Sequence, residues 1–323
     1  MKTAFSWSAV GLGLVLACPG QLAAQTLLSA NGHPWDVDTG HGYIDDGGDD
    51  AFDEFGSIGV QIKSPGGSTL FSDTELSGFG LTFSGRTWMT PTPLVLGEAG
   101  VQVSRTLYAP SDQNYIRYLE TFTNTSSLAR QLTVIFGGDL GSDSGTTLAR
   151  TSSGNVSAGI TSADSWMISI EDYSEAFNPN ALATDPPVGL LFGNTAVFAG
   201  TAAFWSADPF TLPWPGNGDD ELAFRFQFTL DPGQTSNLVL FLYRGLQEGS
   251  TGPLEQTAPA RGSEVALAQS VLTNLSVNPD YTGLSTLQID QIVNFTPVPE
   301  PSTWLLLLGG LAFVAWVAKS RRR

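Results

Sequence analysis

The sequence predicts a mainly β protein: an antiparallel β-sandwich with two short helices near its C-terminal end. Three observations carry that reading. Apolar and polar residues alternate over many short stretches, the period of a half-buried strand. Turn signals built from Gly, Pro and Asn separate those stretches, as in Ser64-Pro65-Gly66-Gly67, Gly216-Asn217-Gly218-Asp219 and Asp231-Pro232-Gly233. Helical spacing is confined to residues 262–294.

The strands follow from their side-chain alternation. Ile58, Val60 and Ile62 share one face, as do Trp166, Ile168 and Ile170. Leu222, Phe224, Phe226, Phe228 and Leu230 share another, with Ala223, Arg225, Gln227 and Thr229 turned away. Residues 238–243 are continuously apolar, which predicts a central strand covered on both faces. Residues 101–108 and 115–123 predict a hairpin around 109–114, with Tyr108 opposite Tyr115, Val103 opposite Glu120 and Arg105 opposite Tyr118. Arg105 and Glu120 then sit diagonally on a face with Val101, Val103, Leu107, Ile116 and Phe122. Unpaired charge on such a face is costly, so the two are expected to form a structural ion pair.

The helices come last. Residues 263–275 have helical spacing through Val265, Val271, Leu272 and Leu275. Ser285-Thr286-Leu287-Gln288 is a capping box, with Leu284 and Ile289 placed as a hydrophobic staple, and this helix is expected to run to about Asn294.

Charge and cysteine content exclude several functions. The two ends look like addressing segments, and without them about 274 residues remain, with 30 acidic against nine basic residues and Lys63 as the only lysine. A net charge near −21 repels phosphate backbones and excludes nucleic acid as a partner. The single cysteine, Cys18, lies in the leader, so the mature domain has no internal disulfide, thiol nucleophile or Cys-built zinc site.

Residues 1–24 have a basic start at Lys2, an apolar run over 9–17 and Leu22-Ala23-Ala24 before a cut, the order of a secretory signal peptide read by the secretion machinery. A lipoprotein signal at Val15-Leu16-Ala17-Cys18 is the rival, with Leu16 too large for its place and Pro19 a poor fit. The domain then occupies 25–296. At the other end Thr296-Pro297-Val298-Pro299-Glu300-Pro301-Ser302-Thr303 precedes the apolar run 304–318, followed by Lys319, Ser320, Arg321, Arg322 and Arg323. Fifteen helical residues span about 22 Å, short against a bilayer core of about 30 Å. The basic cluster stops translocation and holds the tail in the cytoplasm. Pro299 and Pro301 keep the intervening backbone extended and open to a protease.

That order closely resembles the PEP-CTERM protein-sorting signal over residues 297–323. Proteins of this kind are bacterial, usually from Gram-negative species that make extracellular polysaccharide. The resemblance implies recognition by an exosortase, a membrane enzyme that cuts at or near the motif. Carried over residue by residue, Val298, Pro299, Glu300, Pro301, Ser302 and Thr303 form the recognition segment and 304–318 the membrane helix, with Lys319, Arg321, Arg322 and Arg323 as the cytoplasmic stop. The expected product is an exported protein of the cell surface or the exopolysaccharide matrix, paused in the inner membrane as a precursor. The domain itself is expected to be structural or adhesive, and a surface carbohydrate-active enzyme or carbohydrate-binding module is the alternative.

Within the domain the candidates for chemistry are few. Asp36, Asp38, Asp45, Asp46, Asp49 and Asp50, with Asp53 and Glu54 nearby, form an acidic Gly-rich stretch that is either a solvated loop or a weak calcium site. His33 and His41 lie beside it, but the chain has no Gly-x-Ser-x-Gly elbow, and no catalytic residue is assigned. Glu171-Asp172 and Asp219-Asp220-Glu221 hold adjacent carboxylates that point to opposite faces of a strand and so form no pair within either cluster. Among Trp35, Trp88, Trp166, Trp205 and Trp214, the loop-like Trp205 and Trp214 are candidates for a sugar-stacking platform, with core packing the ordinary alternative. A cleft holding two facing carboxylates, one with a raised pKa, is the feature that separates an enzyme from a structural domain.

Overall fold

The structure, a computed structural model, describes residues 27–45, 51–142, 146–171, 185–202, 207–211, 220–246 and 261–296. The expected signal peptide, Asp46, Asp49, Asp50, Trp205, Trp214 and the sorting segment from 297 onward lie outside the described residues. Among the described residues no helix is long and apolar enough to cross a membrane.

The strands in chain order are β1 (Leu27–Leu28), β2 (Pro34–Trp35), β3 (Ile44–Asp45), β4 (Asp53–Lys63), β5 (Thr69–Asp73), β6 (Thr82–Ser84), β7 (Thr87–Met89), β8 (Leu94–Val95), β9 (Val101–Tyr108), β10 (Tyr115–Asn124), β11 (Arg130–Asp139), β12 (Thr146–Thr151), β13 (Trp166–Glu171), β14 (Val188–Leu191), β15 (Phe198–Ala202), β16 (Leu222–Leu230) and β17 (Thr235–Arg244). Two helices follow, α1 (Arg261–Val277) and α2 (Thr286–Asp290). One sheet has nine strands in the order β12-β13-β14-β17-β10-β9-β7-β6, with β8 beside β9. A second has six in the order β15-β16-β11-β4-β3, with β5 on β4, a two-stranded ribbon pairs β1 with β2, and all three sheets are antiparallel.

Alternation places the two cores. Ile58, Val60 and Ile62 of β4, Val134 and Phe136 of β11, and Phe224 and Phe226 of β16 face Val103, Leu107, Tyr118, Phe122 and Leu240 of the nine-stranded sheet, all buried in one cluster. Strand β17 lies between β14 and β10. Its continuous apolar run is explained by a second core on the opposite face, where Val239, Phe241 and Tyr243 meet Val265, Ala268, Leu272 and Leu275 of α1. Trp35, Trp88 and Trp166 are buried and serve packing.

Two expectations need correction. The hairpin register is shifted by two: Tyr108 pairs with Arg117, Val103 with Phe122, and Arg105 directly with Glu120. Tyr115 and Ile116 run past the hairpin and pair with Tyr243 and Leu242 of β17 instead. A shift of two keeps every side chain on its expected face, and it brings the charged pair from a diagonal into direct opposition. The second correction concerns α2. Its capping box is present, with the Gln288 N–H donating to Ser285 Oγ, but the helix ends at Asp290. Beyond it the chain forms an extended strap beside the first half of β17, where the Asn237 N–H donates to Gln291 O and the Val293 N–H to Asn237 O. Those exposed strand groups need partners, and the strap supplies them.

Candidate functional site

The most concentrated chemistry lies at one end of the six-stranded sheet. Asp45 pairs with Asp53 across β3 and β4, and Asp53 pairs with Asp139 across β4 and β11. Asp220 and Glu221 stand just before β16, whose Leu222 pairs with Gly138. Carboxylates from three strands and from the residues leading into a fourth therefore gather at a single sheet end. Two acidic stretches far apart in the chain meet there, joined by Asp139.

A bulge in β11 makes this meeting possible. The register shifts between Gly137 and Asp139, and both glycines sit where backbones nearly touch. A Cβ on Gly137 would lie 1.8 Å from Leu222 O, and one on Gly138, at φ 153°, would lie 2.3 Å from Glu54 O. The extra residue turns Asp139 toward the strand ends. Opposite it, Glu54 has φ 70°, the one non-glycine residue with positive φ among the described residues. That conformation is sparsely populated for a residue with a side chain.

Glu54, Ser57, Glu75, Gly138, Asp139 and Glu221 line a cleft of about 200 Å³. Ser57 Oγ donates to Glu75 Oε1 at 3.0 Å, and Tyr43 OH donates to Glu54 Oε1 at 3.4 Å. Asp139 is half-buried, and its carboxyl is raised to about 7. Burial is the largest cause, followed by the charge of Asp220, a hydrogen bond with its side chain, and the charges of Asp53 and Glu221. Like charges this close favour the protonated form of one of them. The Tyr43 phenol is pushed up to about 12, first by burial and then by Glu54, Asp38 and Asp45.

The cluster differs from a metal cage. Among the described residues no group of three His, Cys, Asp or Glu side chains could hold a metal ion. Asp38 is engaged locally, accepting from the Gly40 N–H at 2.9 Å and the His41 N–H at 2.6 Å. His41 Nδ1 lies 3.1 Å from the same oxygen, and its ring stacks on Tyr43 at 5.3 Å. His33 is buried.

The expected ion pair is present, but it lies between the sheets, far in character from a cleft. Arg105 and Glu120 are both fully buried, with Arg105 Nε donating to Glu120 Oε1 at 2.8 Å and Nη1 to His41 O at 2.6 Å. The guanidinium carbon lies 5.1 Å from the Phe79 ring centre and 5.2 Å from that of Tyr118. Burial raises the Glu120 carboxyl, and Arg105 counters it by charge and hydrogen bond.

Reading the sequence found Asp45, Asp53, Glu54, Asp220 and Glu221 as members of separate clusters and missed Asp139 and Glu75. A signal for Asp139 was present: Gly137-Gly138 at the end of a strand, which reads as a bulge that re-aims the next side chain.

Solved structures similar to this one include a polysaccharide lyase, 12% identical over 69% of this chain and 30% of that one, with a TM-score of 0.37. A protein from Klebsiella pneumoniae assigned as an aldose 1-epimerase is 11% identical over 77% of this chain and 71% of that one, with a TM-score of 0.38. An α-galactosidase from Geobacillus stearothermophilus is 15% identical over 57% of this chain and 29% of that one, with a TM-score of 0.30. The chain thus spans less than a third of the lyase and of this α-galactosidase, and likenesses this distant carry no argument about activity. No curated protein matches the sequence. The family comparison is specific: residues 297–323 match the model of the PEP-CTERM protein-sorting motif, so the chain carries a PEP-CTERM sorting signal behind a mainly antiparallel β domain.

Proposed function

We propose that the chain is an exported bacterial protein that exosortase processing delivers to the cell surface or the exopolysaccharide matrix, with a structural or adhesive β-sandwich as its ectodomain. The observation that carries this reading is the sorting motif at 297–323, which follows directly on Thr296, whose N–H donates to Asn194 Oδ1. The leader at 1–24 engages the secretion machinery, and the run 304–318 with Lys319, Arg321, Arg322 and Arg323 holds the precursor in the inner membrane. The acidic domain, nearly free of lysine, suits a soluble matrix component. Intact-mass spectrometry of the exported protein, from cells with and without the exosortase, tests the proposal. Loss of the tail near Pro299–Pro301 in wild-type cells alone is expected, and a mature protein that keeps residues 304–323 would refute it.

One observation favours a second reading, a carbohydrate-active or carbohydrate-binding surface protein: the acidic cleft with Asp139 raised to about 7. A glycan array and hydrolysis screen, run on the parent and on Asp139→Asn, decides between the two. Turnover or binding lost in the variant establishes the second reading, and inactivity of both proteins leaves the structural one standing. Calcium at Asp36, Asp38, Asp45, Asp46, Asp49 and Asp50 is testable by melting. A bound ion raises Tm over that in chelator at fixed ionic strength, by mass action on the folded state.

A further inference from the structure

Helices α1 and α2 and the strap cover one half of the outer face of the nine-stranded sheet, over β13, β14, β17 and Leu119 of β10. The other half lies open. Strand register arranges its outward side chains in cross-strand rows, with Ser84 beside Thr87 and Tyr108, and Thr82 beside Met89 and Thr106. Further along the strands Ser104 stands beside Thr121, and Val95 beside Gln102 and Thr123. Each of these residues is partly or fully exposed, Met89 at 46% and Val95 at 63%. Arg117, at the end of the first row, is buried and turned to the covered half, where it donates to Asp280 O at 2.6 Å and Thr282 O at 2.9 Å. That clamp holds the loop between α1 and α2 along one border of the open face.

The chemistry of this face differs from that of the chain around it. Thr is common at outward strand positions, and so is charge, which soluble surfaces and sheet edges use against association. On a chain of net charge −17 the open face has the hydroxyls and none of the charge. Its edge strand β6 is uncharged as well. Thr123 Oγ1 lies 2.9 Å from Thr235 Oγ1, and Thr82 Oγ1 donates to Met89 O at 3.3 Å. Among the described residues the hydroxyls of Ser104, Thr106 and Thr121 have no hydrogen-bond partner. These three are neighbours on β9 and β10, and each can both donate and accept.

Size and polarity narrow what such a face can hold. It measures about 20 Å along β9 and about 15 Å across the strands, roughly 300 Å². A stable protein partner, a second copy included, needs about 800 Å² on each side and an apolar centre. An apolar surface would also leave the hydroxyls stranded. A polyanion is repelled by the acidic chain, and the face offers it no cation. A neutral polysaccharide meets each condition. Its hydroxyls satisfy those of Ser104, Thr106 and Thr121, and its C–H faces pack on Met89 and Val95. Its repeat lets several copies of the chain share one polymer, which offsets the small area.

Resting on the adhesive reading above, we propose that this open hydroxyl face binds a neutral polysaccharide. The protein, expressed from its full-length sequence, is tested by retention on cellulose, mannan and dextran, with alginate as the polyanion. The parent is expected to be retained on at least one neutral polymer and not on alginate. Ser104→Glu sets an unpaired charge in the face and should weaken retention at least about tenfold. Thr106→Val, nearly isosteric but without the hydroxyl, should weaken it about threefold. Gln227→Glu, at an exposed position on the other sheet, should leave it unchanged, and melting curves establish that each protein is folded. Retention on no neutral polymer, equal retention on alginate, an equal loss in Gln227→Glu, or a loss confined to Asp139→Asn overturns the proposal. So does a dimer in light scattering that Ser104→Glu dissolves, which gives the face to a second copy. Intact mass of the exported protein tests the sorting reading separately, so either can fail while the other stands.

Discussion

Glu120 and Asp139 are both carboxylates that burial pushes toward the neutral form, and they meet that pressure in opposite ways. Glu120 lies between the sheets, fully enclosed, with Arg105 directly opposite on the next strand and aromatic rings around the guanidinium. Asp139 sits half-buried at a sheet end, and every neighbour that acts on it is another carboxylate. Depth of burial does not separate structural from chemical carboxylates here. The partner does: a cation turns a buried acid into a fixed part of the core, and a second acid leaves a proton shared and titratable near neutral pH.

The comparison breaks most severely if Glu120 is deprived of its cation. Arg105→Met leaves an enclosed carboxylate without compensation and is expected to cost about 3–5 kcal/mol in urea denaturation. The double variant Arg105→Met/Glu120→Leu should recover most of that loss, because the cost belongs to the stranded charge and not to the missing pair. Failure to recover would show that the hydrogen bond to His41 O holds the β2–β3 loop in place and matters more than the charge.

Gly138→Ala acts on the other site. Its Cβ would collide with Glu54 O, so the bulge must shift, at a cost of about 3 kcal/mol. Displacing Asp139 from Asp220 should also flatten the pH dependence described next. The smallest effect is expected from Asp139→Asn. In the parent the folded-state pKa lies above the unfolded one, so the folded protein holds the extra proton between about pH 4 and 7. Stability from this group is complete below pH 4 and is lost as pH rises through 7. The variant cannot ionise there and should be more stable at pH 8 by about 1 kcal/mol, the modest size reflecting solvent screening of a half-exposed group. A parent whose stability is level from pH 4 to 8 would remove Asp139 from consideration as a shared-proton site.

Much of the architecture was legible because strand alternation is a local property. Phe224 and Phe226 face the core as their spacing says, and the unbroken apolar run of β17 is matched by cores on both of its sides. The Arg105–Glu120 pair could be inferred from two charges on apolar faces of adjacent strands, although the register that places them directly opposite could not. Register depends on which strand takes Tyr115 and Ile116, and that choice belongs to β17, 120 residues further along. The end of α2 was misplaced for a similar reason. Nothing within 291–296 forbids helix, and the chain leaves it because Asn237 and Val239 present open backbone groups that an extended strap satisfies.

By itself the sequence determined the strand content, the single cysteine that precludes an internal disulfide, and the sorting signal at 297–323, which is an ordered linear message and needs no fold to be read. The tertiary structure alone decided that Asp53, Asp139 and Asp220 share one sheet end, and that the chain is held to Thr296 before the signal begins. Those are contacts between residues tens to more than a hundred positions apart. Their energies depend on distance in space, which strand pairing sets and local pattern does not.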